Sequence, residues 1–482
     1  MTHLTIAPII LPAVFAGLLV LLRGSVERQR TLSIIATLAL CVISLLIAMG
    51  SATPQAYFLG NWPAPFGIAL MADRLSALML VLTSGLGLLV LIHVISTDWD
   101  RRGKHFHTLF LFQLMGLNGA FLTADAFNLF VFFEVLLIAS YGLMVHGGGR
   151  ERLRAGVQYV AFNLLGSSLF LIALATIYST TGTLNMADLA VKLPNLPAND
   201  TALVRTAAVL LMMVFAIKAA MVPLQFWLPA TYANAPAPVA ALFSVMTKVG
   251  AYALIRFGTL VFPTDLPSTG TLIQSLMEPA AYATMAIGAI GTLGAKSLPR
   301  LIAFAALGSM GTLLLAVLAF TPEATAAALY YLIHSTLAMA ALFLLSDITP
   351  HRRDGLIAAL FMAAAVAMAG MPPLSGFVGK LLVMDALRDT APLAWSFILG
   401  SSLLTMIGLA RIGSDLFWKA DAPSPANTIA PFSPLASGLC LLAIVALTIG
   451  AGPLTVWLGE TAANLHAPAA YIDALQLKPV EK

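Results

Sequence analysis

The chain has 482 residues, 60% of them hydrophobic and 10% charged, with a net charge of +4 and a mean hydropathy of +0.94. A soluble domain carries about 25% charged residues, and one this apolar would expose large adhesive patches, so composition excludes an ordinary soluble protein. The small positive charge comes from loop arginines and describes no nucleic-acid surface.

In chain order the apolar runs are about 17–25 residues long, enough to cross a hydrocarbon core of about 30 Å as helices. The short alternating segments of a β-barrel are missing. The sequence therefore predicts an all-α polytopic membrane protein with about 14 transmembrane helices. They fall near 4–22, 31–50, 72–96, 106–123, 125–146, 153–178, 203–232, 237–260, 271–294, 300–320, 324–346, 355–390, 394–415 and 433–457. The opening MTHLTIAPIILPAVFAGLLVLLRG lacks a basic leader and an A-x-A site, and reads as the first span. Segments 203–232 and 355–390 are too long for one straight crossing and both contain proline.

Alternate loops carry Arg23, Arg28 and Arg30; Arg101, Arg102 and Lys104; Arg150, Arg152 and Arg154; Lys296 and Arg300; Arg352 and Arg353; Arg411 and Lys419, fifteen of the 25 lysines and arginines. The other side has Arg74, Lys192, Arg205, Arg256 and Arg388, with Lys478 and Lys482 in the tail. Basic loops stay in the cytoplasm, so both termini are expected outside, in a bacterial-type cytoplasmic membrane. Trp62, Trp99, Trp395, Trp418 and Trp457 lie near span ends, as interfacial tryptophans do.

Cys41 and Cys440 sit inside spans without metal or haem spacing. Dinucleotide-binding glycines, a P-loop and cluster-binding cysteines are missing, so no cofactor is expected. His105 and His107 in KHFH read as a solvated loop. Asp385 with Arg388, and Arg411 with Asp415, read as surface or interface pairs.

Five ionisable residues lie near the middles of their spans: Glu134 in FNLFVFFEVLLIASYGLM, Lys218 in MMVFAIKAAMVPLQFWLP, Lys248 in FSVMTKVGAYALI, His334 in YYLIHSTLAMAALFLL and Lys380 in GMPPLSGFVGKLLVMDAL. A charge at mid-bilayer costs at least about 2.5–3.5 kcal/mol, so three lysines and a glutamate left dry would cost roughly 10 kcal/mol. That rivals the net stability of a protein. These groups must therefore face the bundle interior, meet partners or water, or lose charge. One structural alternative pairs Glu134 with Lys218 and lets the other lysines snorkel. Lys248 and Lys380, about ten residues from either end of their spans, are too deep for that. All five come to a similar depth. They describe a row parallel to the membrane, which needs water-filled half-channels from each face.

Pro223 removes a backbone donor and crowds the carbonyl four residues earlier; Pro372 and Pro373 do the same, with Gly370 and Gly376 beside them. Freed backbone groups at this depth are tolerated only when buried in protein or wetted. Interruptions at corresponding places in two halves point to a transport site. For a metal ion, Asp125, Asn128 and Asn163 are the oxygen-bearing side chains on offer; they outline no cage.

Together MADRLSALML, the Glu134 and Lys218 helices, APAPVAALFSVMTKVGAYALIRFG, LIAFAALGSMG, the His334 helix and GMPPLSGFVGKLLVMDAL resemble the antiporter-like membrane subunits shared by Mrp cation/proton antiporters, respiratory complex I and membrane-bound hydrogenases. KAAMVPLQFWLP and MTKVG look closest to the D-type Mrp subunits. The resemblance covers nearly all of the chain after about residue 70. It implies fourteen helices in which helices 4–8 and 9–13 form inverted repeats, hence residues 1–105 for the first three helices, 106–260 and 270–418 for the repeats, and 432–482 for the last helix and tail. It also places the family's helix-5 glutamate on Glu134, its lysines of helices 7, 8 and 12 on Lys218, Lys248 and Lys380, and its helix-11 histidine on His334. The chain departs from complex I relatives at Gln225, often histidine there, and at KSLPR. Ser309 and Met339 stand where some relatives carry histidine and lysine, leaving a gap in the row that Ser309 or water would bridge.

The function expected is proton translocation along this row within a multisubunit Na⁺(K⁺)/H⁺ antiporter, a secondary transporter with other membrane subunits, protons, Na⁺ or K⁺ and the lipid bilayer as partners. Lys218, held charged by Glu134, would discharge when that pair separates. The alternatives are a proton-pumping subunit of a redox-driven complex and a non-conducting scaffold.

Overall fold

The computed structural model describes residues 2–22, 24–197, 201–419 and 433–477. Arg23, Lys478 and Lys482, used above in weighing loop charge, lie outside them, as does part of the segment 432–482.

Two apolar helices open the chain, α1 (Ala7–Leu21) and α2 (Val26–Gly50). An antiparallel hairpin follows, β1 (Gln55–Phe58) on β2 (Ala69–Ala72), with Gln55 opposite Ala72 and Phe58 opposite Ala69. This hairpin is a small addition to an otherwise helical chain. Strands of four residues are too short to show a period, although Gly60, Pro63, Pro65 and Gly67 between them are turn residues.

Then come α3 (Arg74–Ser96), α4 (Phe106–Leu122), α5 (Ala126–Met144), α6 (Arg150–Thr181), the short α7 (Met186–Lys192), α8 (Thr201–Lys218), α9 (Trp227–Asn234), α10 (Ala237–Phe243) and α11 (Met246–Leu260). The second half has α12 (Leu272–Gly294), α13 (Leu298–Leu318), α14 (Pro322–Ile348), α15 (Gly355–Ala369), α16 (Ser375–Ala386), α17 (Leu393–Ser414), α18 (Leu435–Ile449), α19 (Ala451–His466) and α20 (Ala469–Ala474). Among the described residues, nine helices are long and apolar enough to cross a bilayer, or ten if the bent α18–α19 pair is one span.

Both expected breaks are present, between α8 and α9 and between α15 and α16. Two further interruptions lie inside expected spans: 237–260 remains one span with a tightened turn inside it, whereas 433–457 is sharply bent. At the first, Ser244 and Val245 close tight i→i+3 bonds to Ala241 and Leu242. At the second, α18 and α19 meet at 79°. Pro453 there has no N–H to continue the ladder.

Burial ranks the helices. The α10–α11 span is wholly enclosed and α13 and α14 are 94% enclosed, whereas α2 and α17 are only 33% and 28%. A helix that is apolar all round belongs inside; here the innermost ones also carry Lys248 and His334.

The basic loops of the first half meet at one end of the bundle. Arg30 binds Asp98 at 2.5 Å and Asp100 at 2.6 Å, and Arg101 binds Glu27 at 2.6 Å. Burial would raise the Asp100 carboxyl, but hydrogen bonds from Arg30 and His107 outweigh it and hold it down at about 2. His107 is therefore no solvated loop residue: it lies buried in α4 with Nε2 3.0 Å from Asp100. Trp99 is likewise buried, its ring centroid 3.9 Å from the Arg102 guanidinium and its Nε1–H donating to Asp347 at 2.8 Å. Arg388 does pair with Asp385, but Arg411 donates to the Ala295 carbonyl at 2.6 Å while Asp415 takes Lys419 at 2.9 Å. An i,i+4 spacing permits a pair without requiring it.

Candidate functional site

Each mid-span group is positioned by a break or by a neighbouring polar helix. Lys218 is the last residue of α8 and is 5% exposed. The chain then unwinds: Ala220 has φ +57°, and the Val222 N–H donates to Thr284 of α12 at 2.9 Å. The Trp227 indole donates back to the Ile217 carbonyl at 3.1 Å, which also accepts from the Ala220 N–H at 3.0 Å, so the far side of the break is tied to the end of α8. Gln225 is buried in the same break, its Oε1 without a donor among the described residues.

Lys218 Nζ donates to Asn163 Oδ1 of α6 at 3.1 Å and stands 5.8 Å from the Phe133 ring centroid. Glu134, half-buried on α5, accepts instead from the Ser167 hydroxyl, also on α6. The direct Glu134–Lys218 pair expected from the sequence is corrected. A polar face of α6 stands between them and gives each its own partner.

Lys248 lies in the first turn of α11, just past the Ser244–Val245 break, and is fully buried. Among the described residues its Nζ meets no acceptor, nor does the nearby Ser244 hydroxyl meet a partner. A buried ammonium in that condition must hold water or exist as the amine. Gly250 brings α11 against α8: a Cβ there would lie 2.5 Å from the Ala219 nitrogen and 2.9 Å from the Lys218 carbonyl carbon. The two lysine-bearing helices thus touch backbone to backbone.

His334 is buried on α14 and joins the two sides of the second break. Its Nε2 is 3.1 Å from the Ala367 carbonyl on α15 and its Nδ1 2.8 Å from the Ser375 hydroxyl on α16. A carbonyl only accepts, so Nε2 carries the hydrogen and, in the neutral ring, Nδ1 accepts from Ser375. Gly376 is required here, because a Cβ would strike the Ala367 carbonyl oxygen and come within 2.7 Å of His334 Nε2.

Lys380, on α16, donates to the Ala369 carbonyl at 2.9 Å and to Ser402 of α17 at 2.7 Å. It thereby satisfies a carbonyl freed where α15 ends at Gly370, φ +76°. Lys218 precedes its break and Lys380 follows its own.

Ser309 of α13 is 2.9 Å from the Tyr331 hydroxyl, and the Tyr331 ring lies 6.1 Å from that of His334. Met339 is fully buried on the same helix. Asp125 and Asn128 form the N-cap of α5, Asp125 Oδ1 accepting from the Asn128 N–H at 2.7 Å. Asn163 serves Lys218. These three do not converge on a metal site.

Sequence reasoning misses Asn163 as a lysine partner, and Ser167, Tyr331, Ser375 and Ser402 altogether. Hydroxyls are common in membrane helices, and their partners lie on other helices. The one available signal is spacing, since Asn163 and Ser167 are one turn apart. Arg256, counted above with a loop, is buried in α11 and bound to Asp73 at 2.7 Å.

Residues 123–407 match the family described as NADH:quinone oxidoreductase/Mrp antiporter, TM. The chain is 39% identical to a Rhizobium meliloti protein named as the D-type component of a probable K⁺/H⁺ antiporter, over 99% of this chain and 98% of that one. It is 36% identical to the Bacillus subtilis protein named as the D-type component of a Na⁺/H⁺ antiporter, over 98% and 99%. A chain in the structure of the Mrp complex from Dietzia sp. DQ12-45-1b superposes with a TM-score of 0.89, at 28% identity over 98% of this chain and 100% of that one. A match of this extent in both sequence and fold makes the chain a member of the NADH:quinone oxidoreductase/Mrp antiporter membrane-subunit family.

Proposed function

We propose that this chain is the proton-translocating subunit of a multisubunit Na⁺(K⁺)/H⁺ antiporter in the bacterial cytoplasmic membrane. The observation that carries the reading is that Lys218, Lys248 and Lys380 are all buried beside helix breaks inside the bundle. Buried charge at membrane depth is costly and marks ion pathways. The names of the relatives, components of K⁺/H⁺ and Na⁺/H⁺ antiporters, support the cation and the coupling.

In this reading a proton reaches Lys218 near Asn163 and Glu134, passes through water to Lys248, and continues by Tyr331, Ser309 and His334 to Lys380. Each lysine turns from ammonium to amine as it gives up its proton and back as it receives one; water and the Tyr331 and Ser309 hydroxyls accept one proton and release another, and His334 passes through its imidazolium. Residues 106–260 and 270–418 act as two inverted repeats, each contributing one broken helix. The arginine-rich loops face the cytoplasm and both termini face outward. One charge moved through 100 mV is worth about 2.3 kcal/mol, and one pKa unit about 1.36 kcal/mol. The membrane potential is therefore strong enough to shift a lysine by more than one unit.

The test is ion exchange by the assembled complex in everted vesicles under an imposed gradient. K218A and E134A are expected to abolish it; full exchange by either variant would overturn the assignment. Exchange without NADH, formate or hydrogen separates this reading from a redox-driven pump.

A further inference from the structure

Lys248 heads a polar stripe. Lys248, Tyr252, Arg256 and Thr259 follow at spacings of four, four and three, one face of a helix, and every residue of α11 is buried. The stripe runs about 12 Å from Lys248 to Arg256, toward the end where α11 finishes and α3 begins. That is the end away from Arg30, Arg101 and Arg152.

There the Arg256 guanidinium is gripped by Asp73, the N-cap of α3, at 2.7 and 2.9 Å. Its NH2 group reaches the Tyr252 hydroxyl at 3.5 Å, and that hydroxyl donates to the Phe121 carbonyl at 2.7 Å. Arg256 also stacks 5.0 Å from the Tyr471 ring. A cavity opens onto this group. Asp73, Arg256, Thr259 and Tyr471 form its buried part, and Thr53 and Asn464 its exposed rim. Three polar groups lining it have no partner among the described residues: Arg74 Nε–H, Arg256 Nε–H and the Tyr471 hydroxyl. Buried donors of this kind are satisfied by water.

We propose that this cavity is a water vestibule through which Lys248 exchanges its proton with the medium on the face opposite the arginine-rich loops, and that Arg256 keeps Na⁺ and K⁺ out of it. Asp73 has both oxygens turned to Arg256, so the floor presents the cavity with an N–H donor and no free carboxylate. Water, with its lone pairs, fits that floor; a metal ion, which must replace its hydration with oxygen ligands, does not. The Tyr471 hydroxyl can accept one proton and release another. In the exchange the Lys248 ammonium becomes the amine, the proton passes from water to water, and no other bond changes. The inference rests on the proton role of Lys248 proposed above.

The experiment uses the assembled complex in vesicles exposing this face, with C41S and C440S removing the native thiols and T259C placing one on the wall. Antiport is compared before and after impermeant anionic or cationic methanethiosulfonates. Modification from this face, a severalfold loss of antiport on modification, and a rate about tenfold faster for the anionic reagent, relative to the reagents' rates with a free thiol, are expected. An unmodified thiol, or modification without loss, overturns the vestibule. The paired variant D73N with R256Q should admit a passive Na⁺ or K⁺ leak; tight vesicles would overturn the filter. Should that variant fail to assemble, the reagent preference with Arg256 intact decides, and no anionic preference overturns the filter. If K248A retains antiport, the proton role of Lys248 itself fails. If K248A is inactive and T259C inert, only the vestibule fails.

Discussion

Asn163 and Ser167 stand one turn apart on α6 and serve opposite charges: Asn163 accepts from Lys218 at 3.1 Å, and Ser167 donates to Glu134. One face of α6 thus holds both charged groups. A hydrogen bond to a charged group contributes about 1.5–3 kcal/mol. N163L should lower both antiport and the melting temperature of the purified complex. S167A should have the smaller effect, because Glu134 is only half-buried. Equal, negligible effects of both would show that α6 is a bystander.

Lys380 has two partners, one of them a carbonyl left by the break. K380A should reduce turnover by roughly 100-fold or more, as loss of a proton-transferring group does, while subunits still co-purify. S402A removes one partner and should give an intermediate rate. A K380A complex with ordinary exchange would contradict the route.

Gly250 carries no charge, yet G250A should impair exchange. The new methyl would sit 2.5 Å from the Ala219 nitrogen and 2.7 Å from the Phe215 oxygen, both backbone atoms that cannot turn aside. Overpacking of this kind costs about 1–3 kcal/mol and would push α11 from α8. Thermal unfolding and exchange are expected to fall together; a normal melting temperature would disprove the close contact.

Acid should release the clamp at the loop end of the bundle. The folded Asp100 carboxyl, at about 2, lies below its ordinary 3.8. Its stabilisation is therefore complete above 3.8 and is lost as pH falls toward 2. Stability curves of the natural protein and D100N should run parallel from neutral pH down to that range and converge below it. Divergence at alkaline pH would mean another group controls the clamp.

Much of this architecture is legible in the residues alone. Span positions follow from apolar runs, and the breaks beside Lys218 and Lys380 follow from proline. The Ser244–Val245 break is hidden because a run with no proline between Val239 and Leu260 can still tighten into i→i+3 bonds. The 79° turn at Gly450 is missed because the apolar run continues through Gly450 and Pro453 as far as Trp457. The partners of the charged groups cannot be read, since Asn163, Ser375 and Ser402 approach them from other helices. Arg256 is easily misplaced because its compensating carboxylate, Asp73, lies 183 positions away in sequence.

His334 reads the second break from both sides at once, through Ala367 before it and Ser375 after it. Adding a proton turns Nδ1 from acceptor to donor, so the Ser375 hydrogen must swing away while the Ala367 contact persists. Charge on one imidazole is thereby translated into the rotation of a single hydroxyl at the first residue of α16. That helix carries Lys380 one and a half turns further on, so the ring on α14 and the lysine's own helix share this hydrogen bond.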